Sequence, residues 1–110
     1  MVKIPREVEG VIKDYLKELG SDISIEKAIL FGSYAKGNYG EDSDIDLAIF
    51  SDYFKDISQI NGIRYLLTRT RNYKGLDIQA IPFVKEDYEK QIDFAKEIIL
   101  TGIEINLNKN

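Results

Sequence analysis

A chain of 110 residues that is 44% hydrophobic and 31% charged has room for one packed core and is too apolar to stay disordered. It has no cysteine and no histidine, which excludes disulfides, thiolate metal sites, histidine-ligated zinc and any nucleophile activated by histidine, and leaves catalysis to carboxylates, lysine, arginine, tyrosine and hydroxyls. A formal net charge of −4 and a pI near 4.8 disfavour stable non-specific binding to nucleic acid, and without a signal-peptide pattern or a membrane-length apolar run the expected location is the cytoplasm.

Pro5 to Leu19 reads as a helix, with Pro5 in the first turn and Gly20 closing the end. Val8, Val11, Ile12, Tyr15, Leu16 and Leu19 recur at helical spacing and form its core face. Glu26 to Phe31 reads as a strand that ends at Gly32-Ser33. The following "SYAKGNYG" offers one helical turn and then a glycine-rich loop. Asp44 to Phe50 is a second strand, and Lys55 to about Arg71 a helix with Ile57, Ile60, Leu66 and Leu67 available for burial, although Gly62 weakens it. "NYKG" is a turn, and Leu76 to Ile81 a third strand stopped by Pro82. Glu86 to Thr101 reads as one last helix, with Tyr88, Ile92, Ala95 and Ile99 near one face and Gly102 as its stop; "IEIN" is a short edge strand or a tail. The order α-β-α-β-α-β-α predicts an α/β (α+β) fold, a small sheet packed with helices, as a single domain over residues 1–110 without repeats or linkers.

The second strand raises the chemical question. Side chains alternate along a strand, so Asp44, Asp46, Ala48 and Phe50 share one face, and Ile45, Leu47 and Ile49 the other, which is expected to be the buried one. Two carboxylates this close repel and raise each other's pKa unless a cation lies between them. Mg²⁺ is the natural candidate, because it is commonly held by one or two carboxylates together with substrate phosphates. Gly32 lets a backbone approach a ligand closely, the amides that follow it can meet an anion, and the Ser33 hydroxyl can add a phosphate contact. Lys36 follows by about one turn and can meet a phosphate oxygen or steady the loop. Asp77, facing opposite to Leu76, Ile78 and Ala80, can join Asp44 and Asp46 if its strand lies beside theirs. Three carboxylates around two metal ions suit in-line phosphoryl or nucleotidyl transfer, with Asp77 also drawing the proton from the acceptor hydroxyl.

Taken singly, each feature has an ordinary explanation. An Asp-x-Asp at a strand start is usually a solvated end, a Gly-Ser pair a turn, and a lone Asp77 an exposed edge carboxylate. Their joint placement at the ends of successive strands is what points to a site. Tyr34 and Tyr39 either stack on a base or pack against neighbouring loops. Arg64, Arg69, Arg71 and Lys74 form either an ordinary solvated helix end or a patch for triphosphate, RNA or an acidic partner, and Glu41 and Asp42 solvate the loop.

"GSYAKG" followed by "SDIDL", with a third aspartate on a later strand, resembles the signature of the DNA polymerase beta-like nucleotidyltransferase superfamily. The small size and the ending "AKEIILTGIEI" resemble its minimal nucleotidyltransferases, the MNT/MntA antitoxin family. The resemblance covers most of the chain and is most specific from Gly32 to Leu47. It implies that Gly32 and Ser33 contact the nucleoside triphosphate, that Asp44 and Asp46 ligate Mg²⁺ ions, and that Asp77 is the third carboxylate. The family commonly has arginine where Lys36 stands, and lysine keeps the charge without the fork. The resemblance further implies transfer of AMP from ATP to a tyrosine of a HEPN-type ribonuclease toxin, with this chain as its antitoxin. A non-catalytic antitoxin or scaffold and transfer to a small molecule or RNA are the alternatives; a chain this small offers little surface for a separate acceptor, which favours an acceptor carried on another protein.

Overall fold

The spacing of apolar residues along Arg6–Gly20 makes the first helix, α1, an amphipathic rod that buries Val8, Ile12, Tyr15, Leu16 and Leu19. Pro5 is its N-cap, Glu7 and Glu9 lie in its first turn and Lys17 in its last, each sign suited to the helix dipole. The computed structural model describes residues 4–70 and 76–107. After α1 come β1 (Lys27–Phe31), the single turn α2 (Ser33–Lys36), β2 (Ile45–Phe50), a 3-10 turn at Asp52–Phe54, α3 (Gln59–Leu67), β3 (Ile78–Phe83), α4 (Lys85–Lys90), α5 (Asp93–Thr101) and β4 (Ile103–Glu104). The expected α/β fold is present, as a four-stranded mixed sheet ordered β3-β2-β1-β4. β1 is antiparallel to both β2 and β4, and β2 runs parallel to β3, with α3 as the crossover.

Both faces of the sheet are covered. Ile45, Leu47, Ile49, Leu30, Ile78 and Ala80 meet α1, α2 and Leu66 of α3 in the larger core. Ile29, Ala48 and Phe50 meet Ala95 and Ile98 of α5 in a smaller one, with Phe83 and Tyr88 packed against it. The expectation of a single buried face on β2 is therefore corrected: Ala48 and Phe50 are buried as fully as Ile49, and only the aspartate end of that face is open. The reason is the C-terminal segment, which folds back over the sheet.

The chain differs from the expected elements in four places. The helix expected from Lys55 begins only at Gln59, because Ser51 and Ser58 each cap a separate turn by accepting from the backbone N–H of Tyr53 and Asn61. Leu66 is its buried anchor, whereas Ile60 and Leu67 are exposed. Gly62 is no defect in it: a Cβ there would stand 2.9 Å from Pro82 Cγ and 3.4 Å from Phe54 Cδ1, so glycine lets α3 lie flat on β3. Pro82 does not stop the third strand, which runs to Phe83. The amide of Ile45 donates to Asp77 O (2.8 Å) and that of Ser51 to Phe83 O (2.9 Å), so the odd-numbered residues of β3 bond to β2 and Pro82 turns its missing N–H to the free edge.

The expected last helix is two. Gln91 (φ 49°, ψ 56°) is left-handed at the end of α4, and Asp93 also has φ 49°, so the chain turns before α5 starts. Ala95 and Ile98 are the buried pair of α5, and Ile92 is exposed. "IEIN" supplies the short edge strand β4 on β1, and a Cβ on Gly102 before it would lie 2.5 Å from Ile29 Cγ2 and 2.7 Å from Leu30 O. The expected "NYKG" turn falls outside the described residues. No helix among the described residues is long and apolar enough to cross a membrane.

Candidate active site

The site lies where β1 ends and β2 and β3 begin. Antiparallel pairing sets Phe31, the last residue of β1, opposite Asp46, and parallel pairing sets Asp46 beside Gln79. Alternation then puts Asp44, Asp46, Phe31 and Gln79 on the sheet face that α5 covers further down. The bond from the Ile45 amide to Asp77 O extends the β2–β3 ladder one step beyond Ile78, so Asp77 stands next to Asp44 at the rim.

Gly32 makes the turn out of β1 in a conformation (φ 75°, ψ −150°) that L side chains rarely adopt. A Cβ there would run into the Asp46 carboxylate, so the backbone at Gly32 lies directly against that acid. Ser33 opens α2 and is half-buried, and its carbonyl accepts from the amides of Gly37 (3.0 Å) and Asn38 (3.1 Å) as the turn closes. Lys36 is exposed at the end of α2, followed by left-handed Gly37. Tyr34 and Tyr39 stack on each other, with ring centroids 4.5 Å apart and planes at 18°. Tyr34 is buried in the main core, so this pair anchors the loop to α2.

Asp44 is exposed and Asp46 half-buried beneath it. Burial first, and the neighbouring Asp44 charge second, raise the Asp46 carboxyl above the ordinary carboxylate range. Among the described residues no lysine or arginine forms an ion pair with either acid. Hard carboxylate oxygens, one of them held where its negative charge is costly, fit a hard divalent cation such as Mg²⁺. Asp44 and Asp46 would hold it. Among the described residues no three acids come close enough to enclose an ion; Asp77 shares the rim with the pair without closing round it.

Gln79 is a neighbour that the reading of the sequence passed over. It is exposed and level with Asp46, and could have been found only by combining the period of two from Asp77 with the parallel register. The expected basic patch is partly structural: Arg69 reaches Asp22 at 2.6 Å and lies over the Tyr65 ring at 4.3 Å, Arg64 is exposed, and Arg71 and Lys74 fall outside the described residues. Glu41 and Asp42 are exposed in the loop.

A family model described as "Nucleotidyltransferase domain" matches residues 11–107. Two relatives from Methanocaldococcus jannaschii are similar over most of their lengths. One, named "Putative protein adenylyltransferase MJ0604", is 37% identical over 89 residues, which are 79% of this chain and 84% of that protein. The other, named "Putative protein adenylyltransferase MJ0141", is 30% identical over 104 residues, 90% of this chain and 99% of that protein. A crystal structure of a "putative nucleotidyltransferase" from Sulfolobus solfataricus matches with a TM-score of 0.60 at 21% identity, covering 82% of this chain and 84% of that one, which shows the shared fold.

Proposed function

The chain belongs to the nucleotidyltransferase domain family and is a transferase, and on that premise we propose that it transfers AMP from ATP to a hydroxyl of a partner protein. The observation that carries this reading is the pairing of half-buried Asp46 with Asp44 directly against the backbone of Gly32, an arrangement that supports a cation held at the acids beside phosphates held at the turn. The similar proteins named as protein adenylyltransferases support AMP and a protein acceptor. The motif resemblance supports a HEPN-type ribonuclease toxin as partner and a tyrosine as acceptor, which makes the chain its antitoxin.

In this reading Gly32 and Ser33 orient the triphosphate, and Lys36 reaches a phosphate oxygen from the end of α2. Asp44 and Asp46 would hold Mg²⁺, which when bound would offset phosphate charge and polarise the α-phosphorus. The acceptor oxygen attacks that phosphorus in line; its bond to phosphorus forms as the bond to the bridging oxygen breaks, and pyrophosphate leaves. Asp77, exposed at the rim, takes the hydroxyl proton. Holding the two reactants in line, together with electrostatic stabilisation of the phosphoryl charge, is what such a site contributes to the rate.

The test is the intact mass of the partner co-expressed with the native chain and with an Asp44→Asn/Asp46→Asn variant. The expected result is a gain of one or more AMP units with the native chain alone. An unmodified partner that both forms inhibit equally would replace this reading with inhibition by contact.

A further inference from the structure

The deepest break between sequence pattern and structure is the left-handed corner at Gln91 and Asp93, and it delivers an aromatic ring to the carboxylate face. Phe94 follows the corner and is 53% exposed although it is a large apolar residue. It is nevertheless held in place: its ring meets Phe31 edge to face, centroids 5.9 Å apart and planes at 89°, and lies 6.4 Å from the Phe83 centroid. Phe31 is the register partner of Asp46 and leads directly into Gly32. Phe83 is level with Phe50, so a ring that reaches both Phe31 and Phe83 spans β2 at about the level of Ala48, whose own side chain is buried. Ala48 is two residues beyond Asp46, about 7 Å along the strand. That is the span of one ribose from a phosphorus held at the acids.

We propose that Phe94, backed by Phe31, is the platform on which the base of the nucleotide stacks. The inference rests on the nucleotidyl-transfer reading and deepens it by assigning the base, as distinct from the triphosphate, to the α5 side of the site. An aromatic platform suits a base because every base has a π-face, and the stack operates without hydrogen-bond readout. A protein acceptor, by contrast, approaches from the rim where Asp44 and Asp77 are exposed.

Binding of two ligands separates the proposal from its premise. ATP and inorganic tripolyphosphate are titrated, each with Mg²⁺, into the native chain, Phe94→Ala and Phe94→Tyr. The native chain should bind ATP more tightly than tripolyphosphate. Phe94→Ala should weaken ATP by about ten-fold or more and leave tripolyphosphate unchanged, and Phe94→Tyr should restore ATP binding. Unchanged ATP binding in Phe94→Ala overturns the platform and keeps the reading; loss of partner labelling in that same variant would then assign Phe94 to the acceptor. Equal weakening of both ligands overturns it in favour of a structural role. Failure of the native chain to bind either ligand overturns the nucleotide reading and the platform together.

Discussion

At Gly32 two requirements coincide in one residue. Its φ of 75° excludes a strain-free side chain, and the space a Cβ would need is taken by the Asp46 carboxylate. Gly32→Ala should therefore lower stability by about 1–3 kcal/mol and abolish transfer, read by chemical denaturation and by partner mass on the same preparation. Asp46 has the opposite economy. Its folded pKa is raised, so between the unfolded and folded values the native state binds more protons than the unfolded state, and stability falls as pH rises through that window. The penalty is complete above the folded pKa and absent below the ordinary carboxylate value. Asp46→Asn should raise the melting temperature at neutral pH while removing activity, and that advantage should shrink as the pH is lowered towards the ordinary carboxylate range. A melting series without metal checks it, and an Asp46→Asn chain that melts lower than native at neutral pH contradicts it. The identities of both residues were legible in the sequence because the Gly-Ser and Asp-x-Asp pattern is local; their contact was not, because it joins the end of β1 to the start of β2 across a sheet pair.

At the scale of elements, α1 follows its periodicity closely and the inner strands form where their apolar runs lie, because one dominant apolar stripe or run leaves no competing arrangement. The C-terminal region departs from it. Glu86 to Thr101 has helical composition throughout, yet Gln91 is forced into a left-handed conformation so that α5 can reach the sheet. Packing of Ala95 and Ile98 against Ile29, Ala48 and Phe50 outweighs a backbone cost of about 1 kcal/mol at Gln91. Gln91→Gly should remove that cost and stabilise the chain by up to about 1 kcal/mol, measured as a shift in denaturant midpoint at constant m-value. A loss of stability would show that the corner is not strained. The misplaced start of α3 has a different cause: Ser51 and Ser58 offer caps that a search for apolar spacing does not weigh.

Across the whole molecule, α1 and α3 are joined by the Tyr15 hydroxyl, which donates to Leu66 O at 3.2 Å from a residue with no exposed surface. Leu66 O also accepts from the Arg69 amide at 3.2 Å, so removing the hydroxyl loses one hydrogen bond without stranding the carbonyl, and Tyr15→Phe should cost about 0.5–1.5 kcal/mol in global unfolding without changing nucleotide affinity, since the bond lies on the face opposite the acids. A second long-range tie is Ser51, whose Oγ donates to Ser24 O at 2.6 Å and links the end of β2 to the loop before β1. Composition by itself determined that the chain forms a packed core and that any chemistry rests on carboxylates, lysine, arginine, tyrosine or hydroxyls, since there is no histidine or cysteine to offer another route. Local pattern determined the first helix, the strand cores and the identities of Gly32, Ser33, Asp44 and Asp46. Only the tertiary structure decided that β2 is buried on both faces, that Pro82 can stay in its strand, that Gly62 serves close packing and that Phe94 comes to lie against Phe31, the register partner of Asp46. Each of these depends on contacts between residues far apart in the chain, where burial and strand register outweigh the local preferences that a sequence displays.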